Sequence, residues 1–393
     1  MKRLAEIFIT VCFLGFLLLG MLSTVLRRTE TVSFFENRTL AIFPRPSGQS
    51  VGDGSFSAQI ERYLEDHAAL RTTVLQGKVC LDMALRRPVI NNIVVTAGPL
   101  LPFRAPESVD EKQLTVQADV MADGLGRIRD TVAEYGGYYC YVAVPCQYAY
   151  FEDDYPWYLE NRAEYSRLSV SLLSQALERR GVAFLDIREA FDAQGRPEEY
   201  GSLVDNHYTM AGAFETYRLV MEKIAVDTGL DFPILGWEDV VLETLPNDYL
   251  GSRERRLMGM VSREEHPSIL RPVDEVRFCR SDGGIPSEPN IYALGYSDSQ
   301  SLNYELYMGG DIANTVIDTR RDELPSILIY GDSFTNALEC VAYLSFDEMH
   351  SLDLRHYQEM SLEGYIRKFQ PEVVICIRDY EALLSPYGNG AIA

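Results

Sequence analysis

Basic charge is what this sequence is short of. Its 36 lysines and arginines stand against 58 aspartates and glutamates, for a formal net charge of −22. A nucleic-acid binder carries a basic face, so the balance argues against nucleic acid as a partner. It suits an exposed domain acting on neutral or cationic material, and equally a surface that charge keeps soluble. Metal and redox spacings are missing too. None of the 7 cysteines forms C-x-x-C and no zinc-type ligand spacing occurs, so the sequence calls for no metal and no cofactor. Cys140 and Cys376 lie in apolar, strand-like runs and read as buried thiols. The six cysteines beyond Cys12 permit disulfides without fixing any. Histidine is scarce, with His67, His207, His266, His350 and His356 the 5 present. Internal repeats and low-complexity segments are absent.

Long apolar runs are limited to one. Ile7 to Leu26 is nearly unbroken, preceded by Met1-Lys2-Arg3 and closed by Arg27-Arg28. Its length suits a bilayer-spanning helix. It exceeds a signal-peptide core and ends in no small-x-small cleavage site. The expectation is a single-pass signal anchor over residues 1–28 at the cell membrane, with the bulk of the chain extracytoplasmic. Basic residues at both ends leave the charge rule weak. A cleaved signal peptide is the alternative.

Residues 29–90 read as a juxtamembrane link, rich in proline and glycine, followed by a helix from Phe56 to about Leu85. Its apolar face is Phe56, Ile60, Tyr63, Leu64 and Leu70. Residues 91–393 read as an α/β domain. A helical pattern from Glu111 to Tyr135 precedes a strand at Tyr138–Val144, stopped by Pro145. A helix at Ser166–Arg180 precedes a strand at Val182–Asp186. This alternation predicts a parallel sheet covered by helices. Tyr148, Tyr150, Phe151, Tyr155 and Trp157 follow the first strand and either line a sugar site or pack a loop on the core. Residues from about 230 to 320, broken by many turns, read as an insertion forming one wall of the cleft.

Two stretches carry chemistry. Pro325 to Phe334 is an apolar strand, Ile327–Tyr330, that ends in Gly331-Asp332-Ser333-Phe334 and turns into a helix. A serine there sits at the carboxyl end of a parallel strand, where open α/β sheets hold ligands, beside N–H groups able to bind an oxyanion. Far upstream, Asp205-Asn206-His207-Tyr208-Thr209 leads into a helix from Met210, with Thr209 as N-cap. The positive end of that helix disfavours an imidazolium and leaves a ring able to accept a proton. Asp205 is placed to orient it. Together these suggest a Ser333–His207–Asp205 triad. Asn336 is a candidate second oxyanion donor or a surface amide. Arg355 either binds substrate or pairs with Asp353. His350 and His356 rank below His207 as the base because neither has the carboxylate partner at a helix start.

Asp205-x-His207-Tyr208-Thr209 with Gly212-Ala213 resembles the D-H-H-W-T…G-A signature of the DHHW proteins. These are similar to the alginate O-acetyltransferase group of SGNH-like proteins, whose G-D-S-F serine motif Gly331–Phe334 matches. Phe35-Glu36-Asn37-Arg38-x-Leu40 resembles the family's E-N-R-x-L segment, and Glu65-Asp66-His67 with Arg71 its acidic segment. Asn206 replaces the signature's first His, outside the triad. Tyr208 replaces its Trp and makes that position a candidate element of the cleft wall. The resemblance implies an SGNH-like (GDSL-like) three-layer α/β/α domain, membrane-anchored, with acetyl transfer or removal on a cell-surface polysaccharide. Transfer would require a multi-span membrane partner that exports acyl groups; an esterase would require none. A non-catalytic glycan-binding or assembly component of an export complex is the alternative.

Overall fold

The computed structural model describes residues 2–26, 31–36, 38–68, 70–104, 109–295 and 297–386. The chain divides into two units, Met1–Ile93 with Glu254–Ser262, and Val94–Arg253 with Arg263–Ala393.

The first unit contains helices α1 (Lys2–Leu26), α2 (Ser55–Asp66) and α3 (Arg71–Ala84). The apolar run is thus helical. Its side chains are described without a break from Ala5 to Gly20, and among the described residues no helix is long and apolar enough to cross a membrane. The single helix expected from Phe56 to Leu85 is instead two. His67 closes α2, its Nε2–H donating to the Ala41 carbonyl at 3.0 Å, and Leu70 takes a left-handed φ of 58°. A contact distant in sequence overrides the local helical pattern there. The Glu36–Leu40 and Glu65–Arg71 segments meet in ion pairs. Arg71 donates to both Glu36 oxygens at 2.5 and 2.9 Å, and Arg38 to Asp66 at 2.9 Å. Asp66 also accepts from the Ala41 N–H at 2.8 Å. The Arg38 hydrogen bond draws its carboxyl down to about 2 against the opposing effect of burial.

The second unit is built on an eight-stranded sheet. The strands of that sheet and the helices of eight or more residues are, in chain order, α4 (Glu111–Ala133), β1 (Tyr138–Val144), α5 (Ala163–Arg180), β2 (Ala183–Asp186), α6 (Met210–Thr228), β3 (Cys279–Asp282), β4 (Ile285–Ser287), β5 (Asn314–Asp318), β6 (Ile327–Gly331), α7 (Phe334–Ala342), β7 (Glu348–Leu352), α8 (Leu362–Phe369) and β8 (Val373–Asp379). The spatial order is β4-β3-β5-β7-β6-β8-β1-β2. The run β7-β6-β8-β1-β2 is parallel, and β5, β3 and β4 extend it antiparallel beyond β7. The central strands β6 and β8 are apolar and almost wholly buried, as a strand covered on both faces must be. Helix α4 packs against α5 and α8, and α6 against α7. Strand β1 touches both α4 and α6, so the sheet lies between the two groups.

Local signals fix the helix ends. Asp110 caps α4 through the Lys112 and Gln113 N–H groups, Thr209 caps α6 through Gly212, and Ser361 caps α8 through Gly364. The region from 230 to 320 does more than the expected insertion, since it supplies β3, β4 and β5 to the sheet. Val240–Thr244 pairs with Ser268–Pro272 in a separate ribbon. Tyr148, Tyr150, Phe151 and Tyr155 pack into the core, while Trp157 is 93% exposed. All seven cysteines are free, with Cys140 and Cys376 buried.

Candidate active site

Ser333 owes its position to β6. The strand pairs with β8 up to Gly331 opposite Ile377. A Cβ on Gly331 would sit 2.0 Å from the Ile377 carbonyl oxygen, so only glycine lets the chain turn this tightly across its neighbour. Asp332 then pins the turn. Its carboxylate accepts from the Phe334 and Asp379 N–H groups, each at 3.0 Å, with the Arg378 guanidinium 3.5 Å away. Ser333 stands at the N-cap of α7 but makes no capping bond with its side chain. The hydroxyl is therefore left to another partner.

That partner is His207. Its Nε2 lies 2.7 Å from Ser333 Oγ. Its Nδ1 is hydrogen-bonded to Asp205, which also accepts from the His207 backbone N–H at 3.2 Å and the Ser252 N–H at 2.6 Å. Asp205 is 1% exposed. Burial opposes its ionisation, but the His207 ring and these two N–H donors hold the carboxyl well below the usual carboxylate range. Since a carboxylate only accepts, Nδ1 carries the proton and Nε2 is free to receive one from Ser333.

Several further groups hold the segment from Ser202 to His207. The Ser202 hydroxyl accepts from the Asp205 N–H at 2.9 Å and donates to Glu265 at 2.7 Å. Glu265 also accepts from the Leu203 N–H at 2.7 Å. Burial pushes Glu265 up to about 7. The Tyr304 ring lies flat on the His207 ring, centroids 3.5 Å apart and planes 6° apart. An imidazolium formed during turnover would face that π surface.

The other residues named from sequence have different surroundings. Tyr208 is buried, and its hydroxyl donates to the Phe334 carbonyl while its ring meets Phe334 edge-on. It braces the serine turn and also lines a cavity beside Ser202, Glu265 and Tyr307. Asn336 Nδ2 donates to Asp311 at 3.2 Å, and Arg355 donates to Asp353 and, at 2.9 Å, to the same Asp311. Arg355 is thus paired with Asp353, and the Asn336 amide is turned to a carboxylate. His350 is buried against Tyr365, and His356 is exposed near Asp353. Ser252, Ser202, Glu265 and Tyr304 have no signal in the sequence. They come from segments that local pattern reads as loop.

No protein-family model matches the chain, and no curated protein matches it. Solved structures do. Bacillus cereus PatB1 carrying a sulfonyl adduct aligns at 17% identity with a TM-score of 0.61, over 74% of this chain and 94% of PatB1. A DHHW family protein from Eubacterium siraeum aligns at 17% identity with a TM-score of 0.56, over 77% of this chain and 95% of its own. The O-acetyltransferase domain of Pseudomonas putida AlgJ aligns at 13% identity and a TM-score of 0.47, over 77% and 95%. The first two share this chain's fold across nearly their whole length.

Proposed function

We propose that the chain is a serine-dependent O-acyltransferase or esterase acting on acetyl esters of a cell-surface polysaccharide. One observation carries the proposal: the His207 ring joins the buried Asp205 carboxylate to the Ser333 hydroxyl at the carboxyl end of a central strand. Ser333 Oγ attacks the ester carbonyl and passes its proton to Nε2. Asp205 stabilises the imidazolium that results, and the leaving alcohol takes the proton back. The Ser333 N–H, at the start of α7, faces the developing oxyanion. Water then releases the acyl group in an esterase, and a sugar hydroxyl receives it in a transferase. The polysaccharide as substrate rests on the resemblance of the Asp-x-His and Gly-Asp-Ser-Phe motifs to the DHHW proteins. So does an extracytoplasmic position, with α1 as the anchor and a multi-span acyl exporter as the partner of a transferase.

The test is hydrolysis of an activated acetyl ester by the full chain in detergent micelles, beside Ser333→Ala and His207→Ala, with a fluorophosphonate label. Turnover lost in both variants, with the label on Ser333, supports the reading. A folded protein that neither turns over nor labels sinks it and leaves a glycan-binding role.

A further inference from the structure

Asn206 stands between the two triad residues of its own segment, and its side chain is held from both ends. Its Oδ1 accepts from the Ser252 hydroxyl at 2.8 Å. Its Nδ2 lies 3.3 Å from His207 Nε2, the same nitrogen that Ser333 Oγ reaches at 2.7 Å. The amide can be oriented from chemistry. Nε2 is the unprotonated ring nitrogen when Nδ1 donates to Asp205, so the group beside it must be a donor. Ser252 fixes the other end, with its N–H on Asp205 at 2.6 Å and its hydroxyl on Asn206. The approach of that segment requires Gly251, where a Cβ would sit 2.3 Å from the Val204 carbonyl oxygen. The chain therefore brings Gly251 and Ser252, the first residue of a short helix distant in sequence, to clamp one carboxylate and one amide.

We infer that Asn206 Nδ2–H is an oxyanion donor of the reaction, acting beside the Ser333 N–H. The inference rests on the proposed serine chemistry. In the resting site the amide N–H leans on Nε2. As Ser333 Oγ bonds to the ester carbon, its proton moves to Nε2 and the carbonyl π pair moves to oxygen. Nε2 no longer accepts, and the amide N–H turns to the new oxyanion. When the tetrahedral intermediate collapses, the C–O bond to the alcohol breaks, the alcohol takes the Nε2 proton, and Asn206 returns to the ring. The Asn336 amide donates to Asp311 and has no hydrogen bond to the His207 ring. Asn206 thus supplies a donor at the position where the DHHW signature has its first His.

The experiment follows the rate at which a fluorophosphonate modifies Ser333 in the full chain in detergent micelles, read by mass spectrometry. The phosphoryl oxygen of the adduct takes the place of the oxyanion. Asn206→Ala should slow modification by about 10²- to 10³-fold, the usual cost of one oxyanion donor. The loss should persist at the high-pH plateau, because the Asp205–His207 bond that keeps Nε2 available is untouched. Asn206→Asp keeps the shape, removes the donor and should be at least as slow. Ser252→Ala, which loses the clamp hydroxyl but keeps the N–H on Asp205, should be intermediate. Thermal melts show which variants are folded. Wild-type rates in folded Asn206→Ala and Asn206→Asp would overturn the inference and leave the triad standing. A shifted midpoint with an unchanged plateau would overturn it too, and make Asn206 a positioning residue for His207. A wild-type chain that resists the label brings down the serine chemistry and this inference together.

Discussion

Replacing Asp205 by Asn tests the catalytic reading at its most buried point. The carboxylate accepts three N–H groups: His207 Nδ1 and backbone N on one oxygen, and Ser252 N on the other. An amide has one oxygen. Turned toward His207, it satisfies two donors and sets its NH₂ against the Ser252 N–H. That leaves a buried N–H unpaired, at a cost of about 1–3 kcal/mol. The removed charge no longer needs burying, so the two effects oppose and the variant folds. Catalysis has no such offset. A unit charge about 4 Å from the imidazolium, at an effective dielectric near 20, contributes about 4 kcal/mol. This corresponds to about a 10³-fold loss of turnover. Hydrolysis of an activated acetyl ester by wild type and Asp205→Asn at matched pH measures it, with the melting curve recorded alongside. A folded variant within tenfold of the wild-type rate would refute the reasoning and remove Asp205 from the mechanism.

Three further outcomes are expected. Gly331→Ala forces a Cβ onto the Ile377 carbonyl, a backbone atom that cannot move aside, so it should destabilise by about 3 kcal/mol or more in urea titration and abolish Ser333 labelling. Tyr304 separates packing from polarity. Its hydroxyl is buried with no hydrogen-bond partner among the described residues, so Tyr304→Phe should stabilise by about 1 kcal/mol at unchanged rate, whereas Tyr304→Leu, which removes the ring beneath His207, should slow turnover about tenfold. Glu265 gives a pH signature. Its proton affinity is higher folded than unfolded, about 7 against 4.5, so its contribution is fully present below pH 4.5 and is lost as pH rises through 7. Wild type should weaken over that window by up to about 3 kcal/mol, Glu265→Gln should not, and equal slopes in the two proteins would rule Glu265 out as the source.

What could be read from the sequence was local. Tyr138–Val144 was legible to the residue because a buried strand is a bounded apolar run, and Pro145 marks its end. Ser333 and His207 were legible because each follows or precedes a regular element with its own signal, a strand ending in glycine and a helix capped by Thr209. Illegible features depend on pairings across long separations. Cys279–Asp282 and Asn314–Asp318 have no strong strand pattern and become strands by hydrogen-bonding to each other and to β7. His67 ends a helix because Ala41 offers it a carbonyl. Ser252 lies 47 residues beyond Asp205, in a turn-rich stretch, and nothing in its neighbours marks it as the donor to the Asp205 carboxylate.

The departures from the DHHW signature follow the same division. Position 208 reads as a lost Trp, yet what the fold asks of it is an aromatic edge against Phe334 and a hydrogen-bond donor to the Phe334 carbonyl. Tyrosine and tryptophan both offer a flat apolar body with a polar hydrogen at its rim, so both residue types suit a contact that ties the histidine segment to the serine turn. Phenylalanine would keep the ring and lose the tie. Position 206 is different in kind. A histidine there would bring a second titratable ring beside Nε2, whereas asparagine brings a donor whose hydrogens do not titrate. The residue at 208 therefore serves a structural joint. The one at 206 puts a non-titrating donor, clamped by Ser252, beside His207 Nε2, and under the proposed serine chemistry Asn206→His should change the rate of Ser333 modification.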